Sequence, residues 1–214
     1  ERVDWTFPGY TEQDLMTVNV YTRAPQVRLY LNGELVGEKA VSDTYWAGFS
    51  VPYRPGTLKA VEWDGSNEGE SFELETTGEP VGIRLRADRT AITADGTDLA
   101  YVVAELVDTE GRVVQTDDRK VSFSCTGEGV LLASGNAAPD DMESFRSASP
   151  MLFEGKALAI LKSTGKPGEM TLTASCDGFN DATLNVKTTE TEPEKPDALA
   201  PVTAQEQDFQ VYAA

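Results

Sequence analysis

The chain has 214 residues, 36 acidic and 18 basic, giving a net charge of −18 at neutral pH with 40% hydrophobic and 8% aromatic residues. The acidic residues are spread over the whole length without a Lys/Arg cluster, so the field repels phosphate backbones and anionic lipid, and no nucleic-acid partner is expected. Histidine is absent, which removes Ser-His-Asp and Cys-His nucleophile systems and His-ligated zinc, and no apolar run approaches the roughly 20 residues of a membrane helix, so no membrane insertion is expected.

In chain order, Trp5 and Phe7 precede a Pro8-Gly9 turn, and strands are expected at Met16–Tyr21, Val27–Leu31, Leu35–Ala40, Tyr45–Val51, Thr57–Trp63 and Glu70–Thr76. The strongest local signal is V-R-L-Y-L-N-G-E-L-V-G-E at 27–38. Alternating apolar residues flank Asn32-Gly33, and both central residues of a type I′ hairpin turn need positive φ, which Asn and Gly tolerate. Pro55-Gly56 and Asp64-Gly65 mark further turns. A boundary is expected at Gly78-Glu79-Pro80, where a charged strand gives way to fresh apolar alternation at Ile83 and Leu85. Beyond it, strands are expected at Leu99–Val107, Val113–Thr116, Lys120–Cys125, Val130–Ser134, Lys156–Lys162, Glu169–Cys176 and Ala182–Lys187.

Short strands at this spacing with no helical period between them predict an all-β protein of two consecutive immunoglobulin-like β-sandwich domains. The first covers residues 1–79 and the second 80–187. Residues 188–214 read as an acidic Pro/Thr/Glu linker and C-terminal tail, in which Asp208–Tyr212 regains apolar alternation and is expected to dock as an edge strand. The long irregular stretch Gly135–Phe153 is the segment most open to a functional role. The chain begins Glu1-Arg2-Val3 without an initiator Met or an apolar leader, and it is read as a piece of a longer protein whose targeting peptide is absent or removed.

These residues carry a family resemblance. Trp5, L-Y-L-N-G-E-L-V-G at 29–37 and V-P-Y-R-P-G-T-L-K-A-V-E-W-D at 51–64 resemble the small β-sandwich that follows the catalytic barrel in glycoside hydrolase family 2, the β-galactosidase family. L-R-A-D-R-T-A-I-T-A-D-G-T-D-L at 85–99 and L-K-S-T-G-K-P-G-E-M-T-L-T-A-S at 161–175 are similar to the immunoglobulin-like domain that often comes next. The resemblance implies a parent enzyme that cleaves β-galactosides or related β-glycosides with two glutamates in a (β/α)₈ barrel. It also implies a secreted, periplasmic or cell-surface location. A barrel takes about 250 residues of strand-helix alternation, which this chain lacks, so no catalytic residue is assigned and the chain itself is not expected to be an enzyme. The sequence departs from the family at Gly135-Asn136-Ala137-Ala138-Pro139, where a Gly-Asn-Gly-Asp-Pro loop is common.

Three groups of residues invite a binding role. Trp5, Tyr45, Trp46, Tyr53 and Trp63 offer flat rings that stack on sugars, but rings within strands of a small sandwich first supply its core. Trp46 and Tyr53, nearest the turns, are the candidate carbohydrate contacts. Asp95-Gly96-Thr97-Asp98 and Asp140-Asp141-Met142-Glu143 offer oxygen ligands for calcium. Neither has EF-hand spacing and Asp-Gly suits turns anyway, so no metal is assigned. No phosphate-binding glycine loop is present, so no cofactor is expected. Cys125 and Cys176 are expected at the C-terminal ends of two antiparallel neighbours, the C-like and F-like strands, too far apart to bridge. Both thiols are expected to be buried as small apolar groups. The favoured function is an accessory region packing against a glycosidase barrel of the same polypeptide, with a carbohydrate-binding module and a cell-surface spacer or adhesion protein as alternatives.

Overall fold

The computed structural model describes residues 3–190 and 210–213. Every regular element among them is a strand. The first six are β1 (Leu15–Tyr21), β2 (Gln26–Leu31), β3 (Glu34–Ala40), β4 (Trp46–Pro52), β5 (Thr57–Trp63) and β6 (Glu68–Glu75). They are followed by β7 (Gly82–Ala87), β8 (Ala91–Thr93), β9 (Leu99–Val107), β10 (Val121–Gly127) and β11 (Gly129–Gly135). The last four are β12 (Lys156–Ser163), β13 (Gly168–Cys176), β14 (Ala182–Thr189) and β15 (Gln210–Ala213). The chain divides between Thr77 and Gly78, and β15 belongs with the first unit.

The first unit has two sheets, β15-β1-β4 and β3-β2-β5-β6, all antiparallel. Period-2 alternation sends Val27, Leu29 and Leu31 of β2 inward, each at most 1% exposed, and Met16, Val18 and Val20 of β1 do the same from the other sheet. Each such side chain contributes about 1.5–3 kcal/mol through burial. The hairpin turn forms at the expected place, with Asn32 at φ 53° and Gly33 at φ 80°. Asn32 has a second task that the dipeptide does not reveal. Its Nδ2 donates to the Pro55 carbonyl at 2.9 Å and its Oδ1 accepts from the Thr57 amide at 2.8 Å, tying the hairpin tip to the Pro55-Gly56 turn. Gly56 must be glycine: at φ 130°, a Cβ there would lie 1.8 Å from the Asn32 Oδ1.

The second unit pairs a sheet β11-β12-β9-β7 with a sheet β10-β13-β14-β8. This is the immunoglobulin arrangement of one ABED and one CFG sheet, with β8 added parallel to β14. Ala100, Val102, Ala104 and Leu106 of β9 face Leu172 and Ala174 of β13 across a core that also takes Ile92, Leu161 and Met170.

Three details differ from expectation. Val113–Thr116 is not a strand. Its residues fold back on the end of β9 through the Val114 amide to the Leu106 carbonyl and one Val107–Val113 bridge, because the Asp108 turn reverses the chain too tightly for a ladder. Strand β8 was not expected, since three residues are too few to show a period. Residues 188 and 189, expected in the linker, belong to β14, and Thr188 is buried with its hydroxyl donating to the Lys166 carbonyl at 2.8 Å. The remainder of that expected linker, residues 191–209, lies outside the described residues. Strand β15 pairs with β1, placing Ala213 opposite Val18 and in the core at 1% exposure.

Candidate functional site

The two candidate carbohydrate contacts stand at opposite ends of β4. Trp46 opens the strand and is 42% exposed. Tyr53 follows its last residue and is 3% exposed, against the expectation that both rings reach solvent. The reason is the N-terminal segment: Trp5 lies 5.3 Å and Phe7 5.7 Å from the Tyr53 ring, and the Phe7 amide donates to its hydroxyl. Tyr53 is therefore a core residue with no ring face for a sugar. Trp5, at 0% exposure, is the most deeply buried ring of this cluster. Trp63 sits on the outside of the other sheet, yet the Arg28 guanidinium covers it at 3.4 Å from the ring centroid. Of the five rings, Tyr45 and Trp46 alone are open to solvent.

Trp46 is held in place by its neighbours on the strand. It pairs with Tyr21 of β1, and Gly48 two residues on leaves room for the indole: a Cβ at 48 would lie 2.7 Å from the ring. Tyr45 takes a positive φ of 62°, fixed by its amide donating to the Ser42 carbonyl and its carbonyl accepting from the Thr22 amide. The Lys39 amine donates to the Gly48 carbonyl and so fixes β4 from its other edge.

The acidic turns are used by the fold. Asp95 accepts from the amides of Thr97 and Asp98, and these hydrogen bonds hold its carboxyl below the usual range. Asp98 accepts from the amides of Thr93 and Leu99 and pairs with Arg89 at 3.1 Å. Asp141 accepts from Asn136 Nδ2 and the Glu143 amide. No group of three or more His, Cys, Asp or Glu side chains is disposed to hold a metal among the described residues.

Cys125 and Cys176 lie on the adjacent strands β10 and β13, where Cys125 pairs with Leu172 and Cys176 with Val121. Four register positions separate them, about 13 Å along the strands, beyond the reach of a disulfide. Cys176 is buried, whereas Cys125, on the edge strand β10, is only half-buried. Burial pushes both thiols up from their ordinary pKa, keeping them protonated.

The long stretch after β11 is ordered by its own polar groups. Asn136 donates to Asp141 and to the Met151 carbonyl and accepts from the Ala138 amide, while the Ser134 amide donates to the Phe145 carbonyl. The asparagine retained in Gly135-Asn136-Ala137 is thus the staple of this loop. The cavity beneath it, about 40 Å³ and lined by Asn136, Asp141 and Phe145, takes a water rather than a sugar. Asn136→Ala is expected to cost about 1–3 kcal/mol, read as faster exchange of the Ala138 and Ser134 amides with a lower melting temperature of the second unit.

Residues 83–185 match the family described as glycoside hydrolase family 2 C-terminal domain 5, and residues 14–69 match a domain of unknown function, DUF4982. A curated β-galactosidase, BoGH2A of Bacteroides ovatus, is 34% identical over 188 residues, covering 87% of this chain. The crystal structure of a glycosyl hydrolase family 2 member from Bacteroides cellulosilyticus superposes with a TM-score of 0.85 at 36% identity over 88% of this chain. The chain is a glycoside hydrolase family 2 C-terminal region. A β-glycosidase from Bacteroides vulgatus, 23% identical with a TM-score of 0.79 over 86% of this chain and 24% of its own, shares the fold. The family 2 region spans 22% of the B. ovatus protein and 24% of the B. cellulosilyticus chain.

Proposed function

We propose that this family 2 region is the non-catalytic C-terminal part of a β-galactosidase or related β-glycosidase, secreted or displayed outside the cytoplasm, and that it packs against the enzyme's catalytic barrel and supports it. The observation that carries this reading is the match to a curated β-galactosidase at 34% identity over nearly the whole chain but only 22% of that enzyme. The strand-only architecture of the described residues agrees with it, since a barrel requires strand-helix alternation. Comparing the full-length enzyme with a version lacking these residues tests it. The shortened enzyme is expected to melt at lower temperature and lose activity on a chromogenic β-galactoside, while the isolated chain shows no turnover. Unchanged melting and activity after removal, or hydrolysis by the isolated chain, would overturn the reading.

A further inference from the structure

The outer face of the β1–β4 pair has a composition unlike the rest of the first unit. Across the ladder, Tyr21 faces Trp46, Asn19 faces Gly48 and Thr17 faces Ser50. None of the outward positions of these two strands carries a charge, although one residue in four of the chain is charged. The outer face of the other sheet is built differently, with the ion pairs Arg28–Glu38 and Lys59–Glu73, both at 2.8 Å. An uncharged face mixing rings and hydroxyls suits an uncharged polyhydroxylic ligand, and the chain's net charge of −18 disfavours an anionic one.

We propose that this face binds a neutral β-linked polysaccharide, with the Trp46 indole as the stacking platform. The exposed indole, seated against Gly48, presents a flat apolar surface to the C–H face of a pyranose. The exposed hydroxyls of Thr17 and Ser50 lie further along the same face, Ser50 about 13 Å from Trp46, and meet the hydroxyl groups of following sugars. Tyr45 and Tyr21 flank the platform. Glycine at 48 is what leaves the indole its seat. The proposal rests on the glycosidase reading for the class of ligand alone, since binding here adds a polysaccharide anchor to a region otherwise assigned to support.

Affinity electrophoresis of the whole chain through gels containing a soluble neutral β-glucan, a neutral β-galactan or polygalacturonate tests it. Retardation is expected in at least one neutral gel and not in polygalacturonate. Trp46→Ala is expected to weaken that retardation about tenfold, whereas Trp63→Ala on the opposite sheet leaves it unchanged, and circular dichroism of both variants confirms folding. No retardation by either neutral glycan, equal retardation of Trp46→Ala and the parent chain, or stronger retardation by polygalacturonate would overturn the proposal. None of these readouts depends on the stability of a full-length enzyme, so the supporting role stands or falls separately.

Discussion

Trp5→Ala is expected to remove most of the stability of the first unit. The indole is fully buried, packs on Tyr53 and Phe7, and donates through Nε1 to the Arg54 carbonyl at 2.9 Å. The Trp5 carbonyl accepts from the Thr76 hydroxyl at 2.7 Å, so the residue joins the N-terminal segment to the turn before β5 and to the end of β6. Removing a buried Trp side chain costs about 3–5 kcal/mol, against about 5–15 kcal/mol for a whole domain. In calorimetry the transition of the first unit should fall by more than about 10 °C while that of the second stays in place. A shift of only a degree or two would mean that the cavity collapses or that the segment is not part of the folded unit. Trp5→Phe is the useful companion, since it keeps a ring against Tyr53 and loses the bond to Arg54.

The second large effect lies at Asp108. Its side chain is fully buried, and burial alone would raise its pKa. Hydrogen bonds from the Gly78 amide, from the Arg112 amide and guanidinium and from the Glu110 amide outweigh that, and hold the carboxyl down at about 2. Because the folded carboxyl is more acidic than the unfolded one, the ionised form stabilises the fold above about pH 4, and this stabilisation is lost as pH falls toward 2. It amounts to about 2 kcal/mol. Asp108→Asn is expected to destabilise the second unit by about 2–3 kcal/mol at neutral pH, since charge-assisted acceptors are replaced by one amide. In urea titrations the gap between the parent chain and Asp108→Asn should narrow steadily from pH 4 to pH 2. A gap that stays constant over that range would show that the carboxylate charge is not what the four donors recognise.

How much of this was legible in the sequence depended on how local the signal is. The Asn32-Gly33 turn and the alternation of β2, β9 and β13 are local, because a strand with one buried face writes its period directly into the chain. The pairing of the C-like and F-like strands, and with it the separation of the two cysteines, followed from strand order alone. The burial of Tyr53 was not legible, because what covers it is Trp5 and Phe7, nearly fifty residues away. The roles of Asp108 and Asn136 were hidden for the related reason that their partners are mostly backbone amides and carbonyls, which leave no mark in composition. Trp46 and Trp63 look alike as strand aromatics, and only the placement of Arg28 over one and Gly48 beneath the other separates a covered ring from an open one.

Strand β15 has a consequence for biosynthesis. The first unit holds β1 through β6 early in the chain, yet the neighbour of β1 on its free edge is made only after all of β7 through β14. At about 5–20 residues per second, roughly 7–27 s separate the emergence of β6 from that of β15. Throughout that interval the ribosome-bound chain carries a sandwich with the edge of β1 unpaired and the place of Ala213 in its core unfilled, while the second unit already has every strand it needs by the end of β14. An edge left open in this way is a template for another chain, so crowded translation is the condition under which this protein is most exposed to mispairing, and the arrival of β15 ends it.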